Sequence, residues 1–281
     1  MRFARVGDAG REVPVVEAEG RLFDLRPITG DIDGPFLAAG TANVQQRLRE
    51  GSLPELDAAG SRRGAPIARP GKVLCIGLNY RDHAAETGAA IPDEPILFMK
   101  DPSTVIGPHD DILIPRGSVK TDWEVELGVV IGRTARYLSS PDDALEHVAG
   151  YVLCNDVSER EFQLERGGQW DKGKSCETFN PLGPVLVTAD EIEDPQALGM
   201  RLWVGDEQKQ DGTSADMIFS VAHIVWYLSQ FLVLRPGDLI NTGTPAGVAL
   251  GARDAVYLRP GDRVACEIDG LGRAENAVVA A

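Results

Sequence analysis

Glu124 and Glu126 stand two apart in Asp122-Trp123-Glu124-Val125-Glu126-Leu127-Gly128-Val129-Val130. Alternate side chains of a strand share a face, so the two carboxylates project together and Trp123, Val125, Leu127 and Val129 project the other way. Neighbouring carboxylates repel unless water or a cation neutralises them. A solvated acidic face is the commoner use of such a pair, but the apolar run that follows predicts a strand buried on both faces. Acids on a buried strand require a cation. Asp156 closes a second apolar run, Tyr151-Val152-Leu153-Cys154-Asn155-Asp156, where an acid serves as a ligand or in a turn. Three oxygen donors suit Mg²⁺ or Mn²⁺, with positions left for water and substrate.

His83 and Glu86 lie three apart in Gly77-Leu78-Asn79-Tyr80-Arg81-Asp82-His83-Ala84-Ala85-Glu86. If that stretch is helical, both face one side. A carboxylate orients an imidazole and raises its basicity, as taking a proton from water requires; an ordinary surface pair has the same spacing. Lys174, in Gly168-Gln169-Trp170-Asp171-Lys172-Gly173-Lys174-Ser175, has the outward form of a phosphate-binding loop. The segment before it, 159–166, is polar and helix-like rather than a buried strand, so nucleotide binding is rejected. The loop Asn241-Thr242-Gly243-Thr244-Pro245-Ala246-Gly247-Val248 suits a carboxylate or enolate oxygen, or a plain turn. The four histidines are scattered and give a zinc site no support.

Positioning these groups takes strands more than helices. Segments 73–77, 96–99, 112–114, 123–131, 151–154, 184–188, 201–204, 238–241 and 263–268 read as strands. Segments 79–86, 141–147, 159–166 and 220–231 read as helices, the last with Val221, Ile224, Val225, Leu228 and Phe231 at helical spacing and Ser220 as N-cap. Residues 1–30 read as a strand meander and 38–48 as helical, and the Pro/Gly-punctuated loop 58–71 predicts a domain boundary near residue 69. Without regular β-α-β alternation, the expected class is α+β and β-rich.

Of 281 residues, 28 are Lys or Arg and 43 Asp or Glu, a net charge of −15 that argues against nucleic acid and anionic membrane partners. The start lacks the apolar core of a signal peptide, and no apolar run is long enough to span a bilayer. Four cysteines without a C-x-x-C pair, three of them in apolar runs, predict reduced buried thiols and a cytoplasmic chain.

Taken in order, these segments resemble the fumarylacetoacetate hydrolase family. The matching pieces are Gly77 to Glu86, Phe98-Met99-Lys100-Asp101-Pro102-Ser103, Trp123-Glu124-Val125-Glu126-Leu127, Asn155-Asp156-Val157-Ser158-Glu159-Arg160 and Gly168 to Ser175. Pro181-Leu182-Gly183-Pro184, Met217-Ile218-Phe219 and Pro236-Gly237-Asp238 leading into Thr242 to Val248 continue the pattern, which spans about 72–272. The resemblance implies a mixed β-sandwich roll as catalytic domain over 70–281, a small N-terminal α+β domain over 1–69, and a homodimer. It implies Glu124, Glu126 and Asp156 as ligands of Mg²⁺ or Mn²⁺, His83 and Glu86 as the water-activating pair, and Lys174 as the catalytic cation. Lys100, Arg160, Gln163 and Thr244 fall where substrate is bound.

The larger members of the family place a further carboxylate ligand shortly before the histidine. Here Cys75-Ile76-Gly77-Leu78-Asn79 offers none, so the expected site has three carboxylates. The stretch around Lys174 is most similar to the bacterial two-domain branch of ureidoglycolate lyases, 2,4-diketo-3-deoxy-fuconate hydrolases and acylpyruvate hydrolases. The implied activity is hydrolytic cleavage of a C–C bond in a 2,4-dioxo acid, an acylpyruvate or a diketo-deoxy sugar acid, with an enolate leaving group stabilised by the cation. Oxaloacetate decarboxylation or hydroxymuconate-type isomerisation would use the same centre. A non-catalytic acidic metal-binding module would bind the cation and be indifferent to His83.

Overall fold

Strands apolar on both sides belong in the interior of a sheet, and the computed structural model, which describes residues 1–281, puts them there. Every residue of Val125–Ile131 is buried, as is all but Ala149 of Val148–Asn155. The larger sheet runs Arg21–Asp24, Val13–Ala18, Arg2–Val6, Leu186–Thr188, Val148–Asn155, Val125–Ile131, Leu239–Asn241, Val73–Gly77, Ile96–Lys100. Arg2–Val6 pairs antiparallel with Leu186–Thr188, so the sheet continues from residues 1–69 into the rest of the chain. The smaller sheet runs Glu207–Thr213, Gly199–Val204, Arg263–Ile268, Gly272–Ala280, Ile112–Ile114.

The two faces of the large sheet bury different cores. Val125, Leu127, Val129 and Ile131 pack in one apolar cluster with Leu202, Val264, Cys266 and Ile268 of the small sheet. From the opposite face, Val130, Val152 and Cys154 join Phe3, Leu25, Ile32 and Phe36. The architecture is mixed and strand-rich, as expected. No helix is long and apolar enough to cross a membrane.

Several local expectations need correction. Helix Val221–Ser229 begins at Ser220, whose Oγ accepts from His223 N at 3.2 Å, but it stops before Phe231, which stays 64% exposed. Segment 141–147 forms two 3₁₀ turns, Pro141–Asp143 and Leu145–His147, rather than one helix. Segment 159–166 opens as strand Ser158–Glu159, paired with Thr121–Asp122, and continues as a π-helical turn, Glu161–Glu165. In 38–48, Gly40 separates two helices, Gly34–Ala39 and Ala42–Arg49. Trp123 and Glu124 precede strand Val125–Ile131, because Glu124 N donates to the Asn155 side chain at 3.0 Å instead of to a backbone carbonyl of the neighbouring strand.

Candidate functional site

The antiparallel register of Val125–Ile131 with Val148–Asn155 brings the three acids together. Val125 lies opposite Asn155, so the next pair outward is Glu124 with Asp156, and Asp156 N donates to Glu124 O at 2.9 Å. Glu126 lies inside the ladder, opposite Cys154. One carboxylate oxygen from each of Glu124, Glu126 and Asp156 lies within 4.8 Å of the others, and the residues are 5%, 2% and 0% exposed. The stretch Cys75 to Asn79, read above as lacking a further acid, opens in strand Val73–Gly77, where Cys75 is a fully buried thiol.

Three buried cations press on this centre. Lys174 Nζ donates to Glu124 Oε2 at 2.5 Å and Asp156 Oδ2 at 2.9 Å. Helix Asp171–Lys174 reaches the acids because Gly173 lets it lie against the segment before it; a Cβ there would sit 2.3 Å from Glu159 O. Lys100 Nζ donates to Asp156 and, at 2.9 Å, to Val157 O. Arg160 spreads its guanidinium over Asp122 (2.8 Å), Glu124 (2.6 Å) and Gln163 (3.1 Å). Burial alone would raise the Glu124 carboxyl, but Arg160 and Lys174 outweigh it and hold it below the usual carboxylate range. Glu126 goes the other way: burial, then the charges of Asp156 and Glu124, push it well above that range. Its hydrogen bond from Gly243 N, 2.8 Å, comes from a neutral donor. Four buried acids (Asp122, Glu124, Glu126, Asp156) face three cations, and every donor oxygen is hard. A divalent ion such as Mg²⁺ or Mn²⁺ fits that set.

His83 is 7% exposed on helix Arg81–Thr87, with Nδ1 3.4 Å from Glu86 Oε2. Glu86 also accepts from Gly247 N, 3.1 Å to each oxygen, which fixes it against the Gly/Thr loop. Thr244 Oγ1 donates to Val125 O at 2.9 Å and accepts from Gln210 Nε2 at 2.8 Å. A cavity of about 190 Å³ opens over the centre, lined among others by His83, Glu124, Glu126, Arg160, Gln163, Lys174 and Thr244. Asp156, Lys100 and Glu86 are not part of its lining. All ten singled-out residues thus gather in one region, seven of them on the cavity wall.

Two positioning residues escaped the sequence reading. Asp122, fully buried, accepts from Ala249 N (2.8 Å), Leu250 N (3.0 Å) and Arg160 Nε, tying the loop to the guanidinium. Its place directly before Trp123-Glu124 was the one available signal. Gln210 accepts from Val125 N at 2.9 Å and donates to Thr244 and Pro245 O.

A two-sheet frame thus carries a buried, oxygen-lined charged centre beneath a cavity. Residues 72–279 match the model of the fumarylacetoacetate (FAA) hydrolase C-terminal domain, and the chain belongs to that family. A Burkholderia multivorans protein with a provisional hydrolase name is 50% identical over 275 residues, covering 97% of this chain and 96% of that one. The fumarylacetoacetate hydrolase structure from Exiguobacterium antarcticum is 35% identical with a TM-score of 0.83, each chain covered completely. Maleylpyruvate hydrolase from Sphingobium sp. SYK-6, solved with manganese(II) and pyruvate, is 27% identical with a TM-score of 0.81, covering 100% of this chain and 99% of that one. Solved structures similar to this chain are named both as hydrolases and as isomerases.

Proposed function

We propose that the chain is a divalent-metal-dependent hydrolase that cleaves a C–C bond of a 2,4-dioxo acid, an acylpyruvate or a diketo-deoxy sugar acid. The observation that supports this most is the convergence of three buried carboxylates, one left without a cationic partner, beneath a cavity that His83 also lines. Glu124, Glu126 and Asp156 would hold Mg²⁺ or Mn²⁺, and the bound ion would supply Lewis acidity toward the 2-oxo acid end of the substrate.

The remaining chemistry falls to side chains. Glu86, anchored by Gly247 N–H, keeps the proton on His83 Nδ1, which leaves Nε2 to take a proton from water. The water oxygen bonds to the C4 carbonyl carbon. The C3–C4 bond then breaks, its electron pair stays with the 2-oxo acid fragment, and the proton held by His83 goes to C3. Products are a carboxylic acid and a 2-oxo acid. Lys174 places its positive charge where that electron pair is received, while Arg160, Gln163 and Thr244 orient the substrate. Lys100 acts by holding Asp156 in place. The same reading makes the enzyme a cytoplasmic homodimer; its four unpaired cysteines are in keeping with a reducing compartment.

The test is a panel of acylpyruvates, diketo sugar acids and oxaloacetate, each with Mg²⁺, Mn²⁺ or chelator. Cation-dependent hydrolysis of a 2,4-dioxo acid, lost in His83→Ala, is expected. Turnover of oxaloacetate that survives His83→Ala would instead support decarboxylation. Cation binding with no turnover of any substrate would support the non-catalytic module.

A further inference from the structure

The cavity changes character between its floor and its mouth. At the floor lie the acids and their cations, 2–5% exposed. The less buried part of the lining is mostly apolar: Leu78, Ala89, Trp170 and Leu250 are half-buried and Leu164 is 42% exposed, with Thr87 the one exposed polar side chain among them. Trp170 is held in this wall by an edge-on contact with Phe98, centroids 5.4 Å apart, and by the bareness of Gly77. A Cβ on Gly77 would lie 2.7 Å from the indole. Leu78 occupies a left-handed backbone conformation, φ 51°, a placement that costs energy in a leucine.

The lysine and arginine of the lining are already committed at the floor, Arg160 to Asp122 and Glu124, Lys174 to Glu124 and Asp156, and His83 faces Glu86. Thr87, a polar group of the lining, spends its hydroxyl on His83 O at 2.9 Å. A second carboxylate at the far end of a substrate would therefore meet Leu and Trp with no cation to pair with, at a cost that hydrocarbon does not incur.

We propose that Leu78, Leu164, Trp170 and Leu250 form an acyl subsite that selects 2,4-dioxo acids with an apolar tail over those ending in a carboxylate or a hydroxyl-bearing chain. This rests on the hydrolase reading above and narrows its substrate class.

The experiment compares acetyl-, butanoyl- and hexanoylpyruvate with fumarylpyruvate and a diketo-deoxy sugar acid in the Mg²⁺- or Mn²⁺-loaded enzyme. Binding of the same compounds to His83→Ala is measured by calorimetry. Along the apolar series kcat/KM should rise about fourfold per methylene until the subsite fills, and affinity for His83→Ala should follow the same order. Fumarylpyruvate should fall about a hundredfold or more below butanoylpyruvate. Trp170→Ala should flatten the chain-length dependence, and Leu164→Arg, at a position exposed enough to accept it, should reverse the preference in favour of fumarylpyruvate. Best turnover of the acid-tailed or sugar-derived compound, or a flat series in both turnover and binding, would overturn the apolar subsite while leaving the hydrolase reading intact. Cation binding with no turnover of any compound would overturn both.

Discussion

Around Arg5 and Arg62, and again around Asp156, the chain gathers acids and bases into clusters of similar make-up. In the first, Arg5 meets Asp31 through two parallel contacts of 2.6 and 3.0 Å and Glu12 at 3.2 Å. Arg62 meets Asp110 at 2.7 and 2.5 Å and Glu12 at 2.9 Å. Each acid has a guanidinium, the forked geometry is the strong one, and most side chains are open enough for water to finish the neutralisation. In the second cluster the cations serve Asp122, Glu124 and Asp156, and Glu126, 2% exposed, receives only a backbone N–H. A structural network closes on itself. Both clusters hold one acid more than they hold cations, but at the centre the whole shortage falls on one residue, Glu126, and that uneven pairing distinguishes a site from a staple.

Removing the residue that creates the shortage should have the largest effect. Glu126→Gln should abolish turnover and erase the rise in Tm that Mg²⁺ or Mn²⁺ gives the wild type, which at a hundredfold excess over Kd is worth about 2.7 kcal/mol. Calorimetric titration alongside thermal melts with and without chelator reads both. A cation-induced rise that persisted in Glu126→Gln would break the contrast between the clusters. Next in size, His83→Ala should lower kcat by about 10²–10⁴-fold while the cation-induced rise stays, because the imidazole acts on water and not on the ion.

The acids were legible because the apolar run after Glu126 and the one before Asp156 predict burial, and burial makes a paired carboxylate conspicuous. Their meeting was not legible. Glu124 faces Asp156 only through a register set by pairing Val125 with Asn155, thirty residues apart in sequence, and Glu124 itself sits outside the strand whose alternation was invoked. Gln210 lay hidden because Glu207–Thr213 shows no apolar alternation; the strand exists through its pairing with Gly199–Val204. Phe231 had helical spacing with Leu228, but nothing in spacing reports that the helix has already ended. The strands of the large sheet read well since both their faces are buried, whereas short helices set by tertiary contacts read poorly.

The self-closing cluster should respond in stability and leave the chemistry alone. Arg62→Ala strips a guanidinium from Asp110 and Glu12, whose side chains are 23% and 6% exposed. The loss expected is about 1–3 kcal/mol, between the values for exposed and buried pairs. Denaturant unfolding should show it, with kcat and cation affinity unchanged. A loss of cation affinity comparable to that of Glu126→Gln would mean the two clusters are coupled through the sheet.

The smallest effect belongs to Asp24, the local counterpart of that network. The hydrogen-bonded contact with Arg26, two residues on, outweighs partial burial and holds its carboxyl below the usual range. A carboxyl whose pKa is lower folded than unfolded contributes stability that is complete above the unfolded value, about 3.9, and disappears as pH falls through the folded one. Acid-unfolding curves of wild type and Asp24→Asn should therefore differ at neutral pH and converge at the acid end. Arg26 is on the surface, so the gap should also shrink with added salt. A difference that widened on acidification would assign Asp24 to the opposite class, that of acids the fold would rather keep protonated, to which Glu126 belongs.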